Sequence, residues 1–264
     1  MEVLEDLKIP LGYKIKPYKG KIKETNIYFV EKFEHKTLNE IGTLPVRLKI
    51  GYLVFSKNGS GYFFGCELLE AQKRKVKLNI KYEIDVKLGN KIFNRNEIET
   101  MYDLRLKYKN NNDLRNLIYK ILLNSIYGKF AQSVGTAKFR NLYLAGYITA
   151  KVRSQLLSAV YGYDNDIIFF ATDGILTKRK LNLKISNKLG NWDFEKIKEA
   201  KVILSGIYKL VNDKGGVKYG ERGYRIDFEN VLSDIEKNGY SIVKQKVFIS
   251  NIYAFKNKKF LKHR

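Results

Sequence analysis

The sequence predicts an α+β fold, an antiparallel sheet with helices packed on it, on three observations. Short β-rich runs crowd the stretch from Ile22 to Ile84, helical blocks follow from about Asn96, and an apolar run at Asp166 to Arg179 folds back on itself as a hairpin. The 264 residues suffice for one large domain or two small ones, each with a real core. All three prolines precede residue 47, and no Ser/Gly-rich linker, repeat or low-complexity tract interrupts the chain. One continuous body with subdomains is expected.

In order, "NIYFVEKF", "PVRLKIGYLVF" and "GSGYFFGCELLEAQ" read as strands broken by "KNGSG", with the last turning helical at Glu67. "VKLNIKYEIDV" alternates and reads as another strand. A helix is predicted from about Asn96 to Lys109, then a loop, "NNND", then a second helix containing "YKILLNSIYGKFAQ". Asn112 or Asp113 is its expected N-cap and Gly128 its expected stop. Leu114, Leu117, Ile118, Ile121 and Leu122 share one side and are expected to face a core. At about 100° per residue, Asn116, Lys120, Asn124 and Tyr127 fall within roughly 80° of one another, a polar stripe opposite that side. A cation, an amide and a phenol in a row suit a phosphate, a sugar and a base; the competing reading is the solvated face of a basic protein. In "DIIFFATDGILTKR" the apolar run ends at Phe170 and a Thr-Asp-Gly turn puts a carboxylate at the hairpin tip.

Fifty Lys and Arg against 27 Asp and Glu give a net charge of +23, which calls for a polyanionic partner. Nucleic acid fits better than a membrane: no apolar run approaches the roughly 18 residues of a spanning helix, and "MEVLEDLKIP" lacks the order of a signal peptide. Without a signal, the expected location is the cytoplasm, the host's if the source is viral. The 19 Tyr and 15 Phe, interleaved with basic side chains, suit a groove that neutralises phosphates and stacks bases, although sheet packing claims most of them. One cysteine, Cys66, excludes an intrachain disulfide, and two histidines leave too few soft ligands for zinc, so any metal would be hard and oxygen-bound.

The spacing Lys120-x-x-x-Asn124-Ser125-x-Tyr127-Gly128 resembles the fingers motif of family B DNA polymerases, K-x-x-x-N-S-x-Y-G, and the trailing "KFA" is similar to the protein-primed branch of phages and linear plasmids. The likeness extends along most of the chain. "LGYKI" resembles the segment just past the first palm motif, and "GSGYFFGCELLEA" a glycine-and-aromatic strand ahead of the fingers. "GYITAKVRSQLLSAV" resembles the long palm helix, and "KLGNWDFEKIKEAKVILSGIY" the approach to the K-x-Y motif. The resemblance implies a palm portion over 1–95, helical fingers over 96–130, palm with the catalytic hairpin over 131–229 and a small thumb over 230–264. It implies that Lys120 contacts the triphosphate of the incoming nucleotide and that Tyr127 packs near the nascent base pair, with Asn124 and Gly128 in the same nucleotide site. Lys129, Thr172 and Tyr208 would meet the primer-template.

"ATDG" resembles the palm signature D-T-D-S, whose second Asp binds the catalytic metals; Asp173 and Thr172 match it, while Ala171 and Gly174 depart. The resemblance implies two Mg²⁺ ions and a second carboxylate from the family's first palm motif, motif A, a D-x-x-S-L-Y-P element that this sequence does not contain. The lysine of K-x-Y is also replaced, since Gly206 and Ile207 precede Tyr208. Two readings remain open. One is the C-terminal polymerase module of a split or truncated enzyme, with DNA primer-template and dNTP as substrates and a second chain supplying motif A and exonuclease. The other is a catalytically degenerate relative that binds DNA, a terminal protein or another replication factor. Asp166 and Asp193 are the rival carboxylates.

Overall fold

The computed structural model describes residues 2–5, 7–36, 41–49, 53–221 and 226–243. After a short α1 (Glu2–Glu5) come β1 (Lys8–Pro17), β2 (Ile27–Glu34), β3 (Leu44–Arg47), β4 (Leu53–Ser56), β5 (Asn58–Phe64), α2 (Gly65–Lys73) and β6 (Lys77–Lys91). Four of these strands form an antiparallel sheet in the order β1-β6-β2-β5, and β3 pairs with β4 in a separate two-stranded sheet among the described residues. Register places Tyr13 opposite Val86, and Ile27 opposite both Ile84 and Phe64.

Two cores use the two faces of this sheet. Ile27 and Phe64 pack on the first and Tyr28 and Phe63 lie in the second, and because successive strand residues point to opposite faces, the cores are on opposite sides. The first core is closed by α5 (Leu142–Ala159), with Tyr143, Tyr147 and Ile148 buried; the second takes in Leu68 and Ala71 of α2. The start of α2 lies so close to the preceding loop that a Cβ on Gly65 would stand 1.9 Å from the Lys23 carbonyl oxygen, which makes glycine obligatory there. Gly65 N donates to Asn26 O and Cys66 N to Glu24 O, while the buried Glu67 carboxylate accepts from Phe64 N and pairs with Arg153. Burial pushes the Cys66 thiol up to about 12, so it is an inert core group.

β2, β5 and β6 fall where strands are predicted between Ile22 and Ile84, and the run after β5 turns helical two residues early, at Gly65 instead of Glu67. "PVRLKIGYLVF", expected as one strand, contributes to two, β3 and β4, which pair with each other. Beyond β6, α3 (Arg95–Asn110) and α4 (Arg115–Ala131) form an antiparallel pair, α5 follows, and a 3₁₀ turn at Asp164–Asp166 leads into a hairpin of β7 (Ile167–Phe170) and β8 (Ile175–Thr177). The chain then divides at the Phe194–Glu195 boundary into two units, the division falling inside the segment 131–229. The second unit holds the antiparallel sheet β11-β10-β9, made of β9 (Ile197–Leu204), β10 (Ile207–Asn212) and β11 (Val217–Glu221), and then α6 (Phe228–Asn238). Of the predicted thumb, residues 244–264 lie outside the described residues. No helix among the described residues is long and apolar enough to cross a membrane.

Candidate active site

The α3–α4 pair is fixed at its turn by charge and aromatic stacking. Arg115 donates through Nε and Nη2 to Asp113 Oδ2 and lies 4.2 Å over the Tyr108 ring, and Tyr108 stacks on Tyr119 at 5.7 Å. These Arg115 bonds hold the Asp113 carboxyl below its ordinary range. Asp113 therefore supplies the start of α4, its Oδ1 accepting from Arg115 N, although Leu114 occupies the cap position itself.

The orientation of α4 about its axis differs from the sequence expectation. Its buried residues are Leu123 and Phe130, with Asn116, Tyr119 and Ile126 half-buried beside them, a run at helical spacing. The side expected to face the core is the outward one: Leu114 is 83% exposed, Ile118 57%, and Leu117, Ile121 and Leu122 are exposed too. The reason is that α4 carries apolar residues on more than one side, and α3 and α5 take the side bearing Tyr119, Leu123 and Phe130. The polar stripe consequently flanks the packed face instead of opposing it.

Lys120, Asn124, Tyr127 and Gly128 are all exposed along that flank. Asn116 is drawn aside, its Nδ2 donating to Asp113 O at 2.6 Å, so the exposed part of the polar stripe is the three residues Lys120, Asn124 and Tyr127. Ser125 satisfies its hydroxyl on Leu122 O. Gly128 does not end the helix, which continues to Ala131; among the described residues a Cβ there would meet nothing within 4 Å, so none of them accounts for a glycine in mid-helix. Lys129 is exposed and reaches Gln132 Oε1 at 3.4 Å.

The second group of predicted residues is on the hairpin. Ala171, Thr172, Asp173 and Gly174 make its turn, closed by Ala171 N donating to Gly174 O at 2.8 Å, and Thr172 and Asp173 are exposed at the tip. At the other end, Asp166 O accepts from Lys178 N, and its carboxylate accepts from Arg179 Nε at 2.6 Å. Asp166 is thereby a lock on the hairpin base, while Asp193 is exposed and accepts from Phe194 N. Among the described residues no group of three or more acidic, histidine or cysteine side chains is placed to hold a metal ion. Asp173 alone fits as one hard oxygen ligand, half of what a two-ion site needs.

Tyr208 stands on β10 of the second unit, opposite Gly220, where a Cβ would lie 2.5 Å from the Tyr208 ring. Gly206, one of the departures from K-x-Y, has φ +93° in the turn between β9 and β10, a conformation that a lysine would adopt only with strain. Sequence reading passed over Arg74, which sits in "QKRKVK", a run that looks like solvated charge, yet is buried.

Comparison with known proteins adds three findings. A family model described as DNA polymerase type B, organellar and viral, matches residues 6–147. A DNA polymerase of Acidianus bottle-shaped virus (isolate Italy/Pozzuoli) is 29% identical over 204 residues, which are 75% of this chain and 30% of the viral protein. Phi29 DNA polymerase complexed with primer-template DNA has a similar fold, with a TM-score of 0.56 and 20% identity over 85% of this chain and 46% of that one; its complex with single-stranded DNA gives the same values. The chain thus spans less than half the length of each of these relatives.

Proposed function

From the premise that this chain belongs to the type B DNA polymerases of the organellar and viral kind, which include the protein-primed enzymes, we propose that it is a polymerase module of a split or truncated enzyme. It would carry out template-directed nucleotidyl transfer from a dNTP to a primer 3′-hydroxyl, with motif A supplied by a partner chain. The observation that carries this reading is the display on α4: Lys120, Asn124 and Tyr127 stand exposed in line, beside a Gly128 with open space where a side chain would be.

In this reading Lys120 takes the triphosphate by charge-assisted hydrogen bonds. Tyr127 sets the face against which the nascent base pair rests, with Asn124 and Gly128 beside it. Lys129, Thr172 and Tyr208 meet the primer-template, whose phosphates the +23 charge attracts. Asp173 would hold Mg²⁺ at the hairpin tip, and a bound ion would supply charge neutralisation at the triphosphate and acidify the primer 3′-hydroxyl. The second carboxylate comes from the partner's D-x-x-S-L-Y-P.

The decisive experiment measures Mg²⁺-dependent nucleotide incorporation on primer-template by the chain alone and with a partner carrying D-x-x-S-L-Y-P. Negligible incorporation alone, restoration by the partner, and abolition by Asp173→Asn are the expected results. Robust synthesis by the isolated chain would overturn the split-enzyme reading. The second reading, a DNA-binding relative without catalysis, is favoured by the single carboxylate at the tip. Salt-dependent DNA binding with no incorporation in the partner's presence would decide for it.

A further inference from the structure

We infer that Arg74 is a positioning residue for the hairpin that carries Asp173, fixing the point at which the chain leaves α5 and so the place where that carboxylate stands. The role given to Asp173 rests on the polymerase reading above; the clamp itself rests on contacts alone. Arg74 caps the C-terminus of α2, and its side chain is 3% exposed, against 60% for Lys73 beside it. A buried guanidinium is costly unless its donors are paired. Nη1 donates to Asp164 Oδ1 at 2.7 Å, Nη2 donates to Leu157 O at 2.8 Å, and the Tyr161 ring lies 5.4 Å from Cζ.

All three partners belong to one stretch of eight residues, the last turn of α5 and the link to the hairpin. Leu157 O is among the terminal carbonyls that a helix cannot satisfy internally. Asp164 opens the 3₁₀ turn that runs directly into β7 at Ile167. One planar fork therefore holds both ends of the link, which a compact ammonium could not do. From there the connection continues: Asp166, at the end of the same turn, is bonded to Lys178 N and to Arg179, so the turn and the hairpin base move together. Asp173 is at the far end of that hairpin.

Stability alone does not account for this arrangement. Arg74 Nε and Glu70 Oε1, one helical turn apart on α2, are buried without a hydrogen-bond partner among the described residues. An ion pair left incomplete in this way is weak evidence of stabilisation, since replacing both partners together by apolar side chains of similar volume often costs little. What the fork adds is direction.

Hydrogen exchange on the full chain tests this. Arg74→Met is expected to raise amide exchange in β7 and β8 about tenfold, the scale of one lost charge-assisted bond, with β6 and the middle of α5 exchanging as in the parent. Arg74→Lys is expected to fail to restore the hairpin. Asp164→Asn, on a side chain 23% exposed and tolerant of solvent, is the second variant should Arg74→Met not fold, and it is expected to loosen the same segment. Unchanged hairpin exchange in the folded variants, or a uniform rise across the whole unit, would overturn the inference. With incorporation restored by a motif A partner, Arg74→Met should lower kcat several-fold at unchanged KM for dNTP, because Lys120 is on another element; an unchanged kcat refutes the positioning role. A loosened hairpin in a chain that never incorporates nucleotide would leave the clamp standing and remove the polymerase reading instead.

Discussion

Two helices of nearly equal length, α4 with 17 residues and α5 with 18, use their apolar side chains in opposite ways. Nine residues of α5 are buried, against α1, α2, α4 and β5; α4 buries two, on the side that meets α3 and α5. Both read as apolar helices in the sequence. The difference teaches that α5 is a structural axis, whereas α4 is held along one edge and offers the rest of its surface outward, including the Lys120 stripe.

The largest expected effect breaks this comparison most directly. Leu144→Ala, on the buried side of α5, is expected to cost about 2–5 kcal/mol in chemical denaturation. Ile118→Ala, on the outward side of α4, should change stability by less than about 0.5 kcal/mol. Equal losses would show that the α4 surface is covered in solution. Next in size, Lys120→Ala is expected to weaken nucleotide binding by about 1.5–3 kcal/mol, the worth of a charge-assisted phosphate contact, while moving DNA affinity and the thermal midpoint less. A variant that unfolds yet binds nucleotide normally per folded molecule would make Lys120 structural.

Acid separates the two regions in a third way. Asp85 is bonded to Lys16, Asn26 and Lys23, and these hydrogen bonds hold its carboxyl at about 2, well below the ordinary 3.8. A carboxyl depressed on folding stabilises the fold above its unfolded value, so this contribution is complete above about pH 4 and is lost as the pH falls toward 2. The residue next to it, Val86, packs in the core under α5, so acid titration followed by circular dichroism should show that loss, and Asp85→Asn should flatten it. Asp113, at the α3–α4 turn, is also depressed by Arg115 but has a surface ion pair, so Asp113→Asn should leave the same curve nearly unchanged. Smallest of all, Gly128→Ala should stabilise α4 by about 0.5–1 kcal/mol, since a Cβ there meets no neighbour. If that space receives a nucleotide, the same methyl should lower nucleotide affinity in a filter-binding assay; unchanged affinity would assign the space to solvent.

How far the sequence reaches is visible in these same residues. Strand alternation and helical periodicity are local properties, so β2, β5, β6 and α3 could be placed from residue order, and so could the turn that lifts Asp173, whereas α5 was expected only from the family resemblance. The line of Lys120, Asn124 and Tyr127 was legible for the same reason, because spacing along a helix fixes the angle between side chains. What spacing leaves free is the rotation of the whole helix. With Leu117 and Ile121 on one side of α4 and Leu123 and Phe130 on another, the burial of either set satisfies the pattern, and the choice fell to the shapes of α3 and α5. The buried Arg74 was illegible for a related reason: charge in "QKRKVK" states a cost of burial, and only Asp164 and Leu157, about eighty to ninety residues onward, supply the partners that offset it. Residue order alone sufficed for β2, β5, β6 and α3, for the order of the stripe and for the acid at the hairpin tip, but not for β1 or the strands of the second unit. Tertiary structure decided which side of α4 faces inward and which cation holds the hairpin, since both depend on neighbours that only folding brings together.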